Sequence, residues 1–373
     1  MLKTIEFIRD HSDWKELLTS APYSLTIVED QDYYLLKYSQ FNSDFSQEIC
    51  RECRGLIVDK HTLQPVALSF PKFFNYCEQY AASIDWATAK VQEKVDGSKI
   101  LLFWDKYRDQ WRVCTSGTLD AYQTALNGSH WTFGQLFDRA IIHMGLDRET
   151  WINKALDPKY CYTFELVSLE NRIVVPYKDT KIYLIGQRDT ESWEECTPDY
   201  GIAYRPNQYN LSSLDQCVEA AAKMDYDQEG FVVVDKNWNR VKIKSLKYLE
   251  AFYLRANCGV SWKRILETIL ANEQSEFLSY FPEYTDKFES VETKLDLWIQ
   301  SVQREAELLS ERQFDCQRDF AKAVFTDFKD NSDILFRIFK EKPLDVKEFC
   351  LSYLKSRSQD RRVDILKLEE EEL

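Results

Sequence analysis

The sharpest chemical feature of this sequence is a lysine that is followed, two positions later, by an Asp-Gly pair. It lies in E-K-V-D-G-S at residues 93–98, between a stretch that ends near Val91 and the apolar run from Ile100 to Trp104. A lysine amine in its neutral form is a nucleophile. The tetrapeptide alone is weak evidence, because an Asp-Gly pair between two strands also forms an ordinary turn.

Further downstream, four charged side chains lie in apolar, strand-like runs. Glu165 lies in F-E-L, and Glu229 opens E-G-F-V-V-V. A buried carboxylate is costly unless it is paired. In V-K-I-K at 241–244 the two-residue period of a strand places Lys242 and Lys244 on one face. These four side chains could neutralise one another as structural ion pairs, and the same set equally suits a nucleotide and a metal ion.

The elements that must position these residues are short β-rich runs between about residues 24 and 245. Amphipathic stretches at 131–144 and 213–224 predict helices between them. The pattern indicates an α+β domain with mostly antiparallel strands. The runs read Y-Y-L-L-K-Y, G-L-I-V-D, K-I-L-L-F-W, W-R-V-C-T, Y-C-Y-T-F-E-L-V, K-I-Y-L-I-G and G-F-V-V-V-D.

After residue 245 the apolar residues recur at spacings of three and four, as in W-K-R-I-L-E-T-I-L. This spacing is typical of helices. We therefore place a boundary near 246–255 and predict two domains, 1–248 and 249–373. The second is all-helical and ends in a frayed acidic tail, K-L-E-E-E-E-L.

Bulk properties narrow the function classes. The formal net charge of -14 argues against a protein that coats nucleic acid through overall positive charge, so RNA binding would need a local basic site. We see no signal peptide and no membrane-length apolar run, and we expect a cytoplasmic protein with reduced thiols. Cys50 and Cys53 form one C-x-x-C near His61. Without a second cysteine pair this is not the usual four-ligand zinc site, and buried thiols are the preferred interpretation.

Six motifs in one order resemble the covalent nucleotidyltransferase superfamily of RNA ligases, DNA ligases and mRNA capping enzymes. Within it, the resemblance is to the RNA ligase 1 family of T-even bacteriophages. It covers residues 36–248, and the helical C-terminus only in type. The matching segments are E-C-R-G (52–55), K-F-F-N (72–75), K-V-D-G-S (94–98), F-E-L-V with N-R-I-V (164–174), E-G-F-V (229–232) and K-I-K-S (242–245).

The resemblance implies an antiparallel-sheet nucleotidyltransferase (ATP-grasp-like ligase) domain followed by an all-helical domain. It also implies an ATP-dependent RNA ligase that joins 5′-phosphate and 3′-hydroxyl RNA ends through lysyl-AMP and RNA-adenylate, in RNA or tRNA repair. The implied cofactors are ATP and Mg²⁺, since polyphosphate and hard oxygen ligands suit that ion. The implied partner is RNA, with single-stranded ends and nicked tRNA as candidates; no obligate protein partner is evident.

Residue roles follow from the resemblance by position. Lys94 would carry AMP, Lys242 and Lys244 would grip the α-phosphate, and Glu165 and Glu229 would serve the ribose and the metal. The implied catalytic set is Lys94, Asp96, Gly97, Glu165, Glu229, Lys242 and Lys244. The implied nucleotide-binding set is Tyr38, Arg54, Lys72, Glu93, Lys94, Glu165, Glu229, Lys242 and Lys244.

Three of these assignments and one departure from the family pattern need comment. Arg54 and Lys72 would contact the ATP phosphates, and Tyr38 would stack on adenine, although Tyr38 could equally be an ordinary strand aromatic. The family usually has a lysine in a K-G or R-G element after the nucleophile, where this chain reads C-T-S-G-T at 114–118. That cation must be omitted here or supplied from elsewhere, and Lys99 and Arg112 are the candidates.

Two alternatives remain open on the sequence alone. A capping guanylyltransferase or DNA ligase would share the lysine motif, but those enzymes typically continue into a β-barrel OB domain, whereas this chain continues into helices. A non-catalytic RNA-end-binding protein would keep the fold without turnover.

In the helical part, the basic cluster K-S-R-S-Q-D-R-R at 355–362 could contact phosphates, or it could be a solvated helix end.

Overall fold

The computed structural model describes residues 2–126, 130–253, 261–314 and 316–368. The chain forms two compact units, Met1–Phe252 and Tyr253–Leu373. The helices of the first unit are α1 (Lys3–Asp10), α2 (Trp14–Thr19), α3 (Glu48–Glu52), α4 (Phe133–His143), α5 (Arg148–Lys154), α6 (Leu214–Ala222) and α7 (Leu246–Tyr253). Its strands are β1 (Leu25–Glu29), β2 (Tyr33–Tyr38), β3 (Arg54–Asp59), β4 (Pro65–Ala67), β5 (Phe74–Asn75), β6 (Lys90–Glu93), β7 (Ser98–Asp105), β8 (Gln110–Thr115), β9 (Tyr160–Val167), β10 (Lys181–Asp189), β11 (Glu195–Cys196), β12 (Gln208–Tyr209), β13 (Gly230–Val234) and β14 (Arg240–Lys244).

The first sheet has the antiparallel order β1-β2-β3-β4. Alternation along its strands divides the side chains between two cores. Leu36 and Val58 pack in one core with residues of α1 and α2. Leu35 and Ile57 pack in the other against Leu101 of β7. The first sheet is therefore buried on both faces.

The second sheet has the antiparallel order β11-β10-β9-β7-β8. Phe164 and Leu184 of this sheet form a core with Leu136 and Phe137 of α4 and with Trp151 of α5. The interior strands β7 and β9 carry the charged residues of interest. Their neighbours on both sides fix the positions of those residues.

The third sheet has the order β12-β6-β13-β14-β5, in which β5 and β14 are parallel and the other neighbours are antiparallel. Cys217 and Ala221 of α6 cover one face and pack with Phe231 and Val233. Because β6 ends in the third sheet and β7 begins in the second, the K-x-D-G segment at 94–97 crosses from one sheet to the other.

Side-chain caps explain where two predicted helices begin. The Thr132 hydroxyl accepts a hydrogen bond from the Gln135 backbone N–H, and the Gln135 side chain accepts one from Thr132, which forms a capping box at α4. Ser213 accepts a hydrogen bond from the Gln216 N–H at α6. Both caps lie where the sequence predicts the helix starts, within a residue or two.

The second unit has only helices among its described residues. The longest, α10, buries a stripe with three- and four-residue spacing that includes Val291, Leu295, Trp298 and Val302. Its helices are α8 (Trp262–Leu270), α9 (Gln274–Tyr280), α10 (Thr285–Ser310), α11 (Gln317–Asp327), α12 (Ser332–Glu341), α13 (Val346–Lys355) and α14 (Gln359–Leu366).

The predicted fold class, an antiparallel α+β domain followed by helices, is confirmed. The units divide between Phe252 and Tyr253. The limits 1–248 and 249–373 for two domains stay a prediction. In the basic cluster, Arg357 is 2.7 Å from Asp333, and Arg362 donates to the carbonyl of Leu354. These two cations contact neighbouring helices and remain partly accessible to solvent. The acidic tail at 369–373 lies outside the described residues.

Candidate active site

Lys94 lies where the chain leaves the third sheet for the second. Its backbone N–H donates a 2.9 Å hydrogen bond to the Gly230 carbonyl, which extends the β6–β13 pairing beyond Glu93. Gly97 then passes so close to β9 that a Cβ atom would lie 2.4 Å from the carbonyl oxygen of Leu166. Only glycine fits there, so the Asp-Gly pair holds the nucleophile segment against β9 instead of forming a free surface turn.

Asp96 is buried and anchors this segment. Its Oδ2 accepts hydrogen bonds from the backbone N–H groups of Val174, at 2.9 Å, and Val175, at 2.8 Å. Its Oδ1 accepts one from the Tyr248 hydroxyl at 2.8 Å, and its own N–H donates to Tyr177 at 3.2 Å. Asp96 therefore ties the segment to the N-R-I-V region and to α7.

The Lys94 ammonium contacts a carboxylate from the neighbouring strand end. Nζ lies 2.6 Å from Oε1 of Glu229, and Nζ of Lys244 lies 3.8 Å from the same oxygen. Burial raises the pKa of Glu229, and the two lysines offset part of that effect. Oε2 of Glu229 is buried and has no hydrogen-bond partner within the described part of the chain.

Gly230 explains why a glycine follows this glutamate. Its φ of +135° is rarely adopted by other residues, and a Cβ atom would lie 2.1 Å from the Ile243 carbonyl oxygen. The close approach of β13 to β14 brings Glu229 beside Lys244. The backbone conformation and the close contact with β14 therefore require a glycine directly after Glu229.

The second sheet supplies the opposite side of the site. Lys99 and Glu165 are directly paired in the β7–β9 register. Burial raises the pKa of Glu165 to about 7, and the nearby cation of Lys94 acts in the opposite direction. Burial, followed by the charge of Arg54, lowers the pKa of Lys99 well below its ordinary value. The Lys99 ammonium donates a 2.7 Å hydrogen bond to the Arg54 carbonyl.

The Arg54 guanidinium lies near two aromatic rings, 5.1 Å from the Phe70 centroid and 5.3 Å from that of Phe73. The Lys242 ammonium lies 5.3 Å from the Phe73 centroid. Cations near aromatic ring faces gain electrostatic stabilisation. One guanidinium nitrogen of Arg54, Nη1, is buried with no hydrogen-bond partner among the described residues.

These side chains surround a cavity of about 280 Å³. Seven predicted site residues line it: Arg54, Glu93, Lys94, Gly97, Glu165, Lys242 and Lys244. Glu229 contacts the Lys94 ammonium, and Asp96 anchors the segment that follows it. Neither residue is among those that line the cavity. Glu93 directs its carboxylate to Asn207, whose side-chain nitrogen donates at 2.7 Å. The remaining lining residues are Phe70, Phe73, Gln92, Val95, Lys99, Ile185, Pro206, Val232 and Arg240.

Tyr38 and Lys72 are not among the residues that line this cavity. The Lys72 ammonium lies among three aromatic rings, at 5.1 Å from Tyr38, 4.4 Å from Phe45 and 5.3 Å from Phe74. Tyr38 packs edge-on against Phe45 and is largely buried. The structure therefore does not bring these two residues to the nucleotide cavity, and their predicted contacts with phosphate and adenine stay predictions.

Arg240 is a lining residue that the sequence reasoning missed. The two-residue period that groups Lys242 with Lys244 also places Arg240 on their face, so a signal was present. Nη1 and Nη2 of its guanidinium both contact the Glu195 carboxylate, and the guanidinium lies 4.7 Å from the Phe70 centroid. Phe73 also had a signal, because it directly follows the lysine of K-F-F-N.

A larger cavity, of about 680 Å³, lies beside β8 and contains Arg112. Its three arginines already contact carboxylates: Arg108 with Asp32 and Asp105, Arg112 with Asp30, and Arg148 with Asp138. Neutralised arginines of this kind form a structural network. We therefore assign the chemistry to the smaller cavity, and Arg112 does not reach it.

The sheets and the lysine-centred cavity together define a nucleotidyltransferase-type ligase fold. Residues 52–255 match the family model described as RNA ligase, of the T4 RNA ligase 1 type, and the chain belongs to this family. The family resemblance is thereby confirmed.

Two curated relatives are similar to this chain. A putative bifunctional polynucleotide kinase/RNA ligase of Autographa californica nuclear polyhedrosis virus is 30% identical over 288 residues, 72% of this chain and 40% of the viral protein. An RNA ligase of Rhodothermus phage RM378 is 28% identical over 187 residues, 43% of this chain and 42% of that protein. The chain thus matches about two fifths of the length of each relative.

Among solved structures, an archaeal ATP-dependent RNA ligase aligns with 94% of this chain and 81% of its own, at 10% identity and a TM-score of 0.48. In the described part of the chain, no helix is both long enough and apolar enough to cross a membrane.

Proposed function

We propose that this chain is an ATP-dependent RNA ligase in which Lys94 becomes covalently bound to AMP. The observation that carries this proposal is the position of Lys94. Its ammonium is in contact with Glu229, on a cavity that also carries Lys242, Lys244 and Arg54. A lysine nucleophile beside a cluster of cations suits attack on a polyphosphate. Family membership supports the same activity.

The proposed reaction has three displacements at phosphorus. First, Lys94 Nζ loses a proton and bonds to the α-phosphorus of ATP, and pyrophosphate leaves. Second, an oxygen of the RNA 5′-phosphate bonds to the AMP phosphorus, and Lys94 regains its proton as the P–N bond breaks. Third, the 3′-hydroxyl loses its proton and bonds to the RNA 5′-phosphorus, and AMP leaves. Positioning and charge neutralisation do most of the catalytic work in such reactions.

The resting contacts of Lys94 must change before the first step. Its ion pair with Glu229 stabilises the ammonium form, which is not nucleophilic. Lys242 and Lys244 lie on the same strand face and would hold the α-phosphate near Nζ. We propose that entry of the triphosphate draws these lysines onto phosphate oxygens and releases Lys94 for attack.

The residues present fit a divalent cation, and we propose Mg²⁺. The buried Oε2 of Glu229 has no hydrogen-bond partner among the described residues, and such an oxygen is an available hard ligand. No group of three or more His, Cys, Asp or Glu side chains in the described residues could hold a metal alone. Glu229 and Glu165 would therefore share the ion with phosphate oxygens and water. When bound, the ion would neutralise phosphate charge.

Nucleotide labelling tests the activity and separates it from the alternatives. The protein is incubated with ATP or GTP, each labelled at the α-phosphate, and attachment to Lys94 is measured by intact mass and peptide mapping. We expect AMP alone on wild type and none on Lys94→Ala. Stable attachment of GMP would indicate a capping enzyme, and absence of any nucleotide would support a binding protein. Joining of RNA or nicked DNA then distinguishes an RNA ligase from a DNA ligase.

We also propose that the helical unit selects the RNA and that nicked tRNA is the candidate substrate. We further propose that the enzyme works in RNA repair in the cytoplasm. The division of the chain at residue 252 supports a separate role for the helices. A chain truncated there should still adenylate Lys94. It should lose joining of a nicked tRNA anticodon loop more than joining of short linear RNA, at matched adenylation and salt. Equal loss on both substrates would mean that the helices only brace the first unit.

A further inference from the structure

The cations of the cavity differ in whether a carboxylate lies close to them. Lys94 and Lys244 approach Glu229, and Arg240 is paired with Glu195. In contrast, neither Arg54 nor Lys99 has a carboxylate oxygen within 4.0 Å among the described residues.

Arg54 and Lys99 are nevertheless adjacent. The ammonium of Lys99 donates its hydrogen bond to the backbone carbonyl of Arg54, so the Lys99 charge lies beside the backbone from which the Arg54 side chain extends. Nη1 of Arg54 is buried with no hydrogen-bond partner in the described structure. Nearby like charges disfavour each other, most strongly where water is excluded. Arg54 and Lys99, with the buried Nη1 donor of Arg54, therefore form a site that suits an anion.

Lys37 and Glu165 complete the charged groups around Lys99. Glu165 is its partner across the strand pair and gives only partial compensation. The exposed side chain of Lys37, whose Nζ lies near Gly117, adds a further positive charge that also lowers the pKa of Lys99. The net charge on this wall is positive, which favours a multiply charged anion.

The same region lacks the lysine that the family usually has near 114–118. Ile100 pairs with Thr115, so the next step of this antiparallel register places Ser116 opposite Lys99. Ser116 also lies beside Gly55, the residue after Arg54, since its Cα is 3.2 Å from where a Cβ of Gly55 would be. Side chains opposite each other on an antiparallel pair share a face. A cation at 99 can therefore reach the space that a cation at 116 would occupy.

We propose that Lys99 is a further catalytic residue that, with Arg54, binds the β- and γ-phosphates of ATP and stabilises the departing pyrophosphate. This inference rests on the proposed ligase function. Lys94 attacks from the third-sheet side, next to Glu229 and Lys244. In an in-line displacement the leaving group departs opposite the nucleophile. Arg54 lies on β3 of the first sheet and Lys99 on β7 of the second, whereas Glu229 and Lys244 adjoin the third sheet.

The test separates the steps that involve pyrophosphate from the step that does not. Lys99→Met keeps the length of the side chain and removes its charge. We expect adenylation of Lys94, and its reversal by added pyrophosphate, to fall roughly 100-fold, as on loss of one charged donor to a transition state. Sealing of chemically pre-adenylated RNA, which contains no triphosphate, should be unchanged. Lys90→Met, on an exposed lysine of β6, is the matched control.

Charge relocation provides the second variant. Lys99→Met combined with Ser116→Lys should regain adenylation, because the cation then starts from the opposite strand. Lys37→Met should reduce adenylation much less than Lys99→Met, because Lys37 is exposed and solvent screens its charge. The proposal is overturned if Lys99→Met adenylates normally, if it loses sealing of pre-adenylated RNA equally, if relocation restores nothing, or if Lys37→Met shows the selective loss instead. If wild-type protein forms no lysyl-AMP, the proposed function itself fails.

Discussion

The ammonium of Lys94 lies 2.6 Å from Oε1 of Glu229, and Lys244 approaches the same oxygen at 3.8 Å. One carboxylate thus connects the proposed nucleophile to β14, the strand that we propose binds phosphate. Any ligand that binds Glu229, Lys244 or Lys94 changes the surroundings of the other two. The three sequence motifs therefore act as one electrostatic unit.

Glu229→Gln tests this unit. The substitution keeps the size of the side chain and removes its charge. We expect a folded protein whose adenylation rate falls by about 10²–10³, the usual scale for a lost electrostatic contact in a transition state, because the proposed ligand of the divalent cation is weakened. Glu219→Gln is the matched control, because Glu219 also lies 2.6 Å from a lysine, Lys223, but on the surface. Adenylation of Glu229→Gln at the wild-type rate would contradict the assignment.

The raised pKa of Glu165 predicts a pH dependence of stability. Its folded-state pKa is about 7 and its ordinary value is 4.5, so the protonated form favours folding. The stabilisation that Glu165 contributes to the fold is fully present below about pH 4.5. It is lost as the pH rises towards 7. Relative to Glu165→Gln, the unfolding free energy of wild type should fall by about 1–3 kcal/mol over that window, since partial exposure reduces the full linkage value.

Urea unfolding of both proteins without nucleotide, at several pH values and fixed salt, measures this difference. A constant difference from pH 4 to pH 8 would show that Glu165 titrates normally.

Gly230→Ala tests the backbone requirement beside Glu229. A Cβ would meet the Ile243 carbonyl at 2.1 Å, so we expect β13 to shift, with a stability loss of more than about 2 kcal/mol and loss of adenylation. Gly145→Ala is the control, because Gly145 also has a positive φ but no atom within 4 Å of its added Cβ. Its cost should be only about 1 kcal/mol, with adenylation intact. Equal effects at both positions would show that conformation, and not the close approach, sets the cost.

The hydrogen bond from Tyr248 to Asp96 predicts a functional effect beyond stability. Tyr248→Phe and Tyr33→Phe each remove a buried 2.8 Å bond from a tyrosine to an aspartate, the second of them to Asp105. Both should cost about 1 kcal/mol of unfolding free energy. Only Tyr248→Phe should also slow adenylation, because only Asp96 positions the Lys94 segment. If Tyr33→Phe slowed adenylation equally, the effect would come from general stability.

The strand segments along the chain and the main site lysines were predictable because both depend on local patterns. Alternation along β14 determined the common face of Lys242 and Lys244, and the three- and four-residue spacing in W-K-R-I-L-E-T-I-L predicted a helix where α8 lies. None of these predictions required knowledge of distant contacts.

Other features depend on pairings that no local pattern contains. Lys72 is twenty-two positions before Lys94, and only the path of β5 decides whether it faces the cavity or the rings of Tyr38 and Phe45. The choice between Lys99 and Arg112 likewise required the contacts between strands. Arg112 reaches Asp30 of the first sheet, whereas Lys99 lies opposite Glu165.

The position of Lys72 among aromatic rings gives the protein a built-in spectroscopic reporter. Ring currents from Tyr38, Phe45 and Phe74 shift the resonances of nearby lysine methylene protons upfield. In a sample labelled selectively at lysine, those resonances distinguish a Lys72 that stays among the rings from one that leaves them when ATP is added. The same spectrum would follow the side chain through each covalent state of the enzyme.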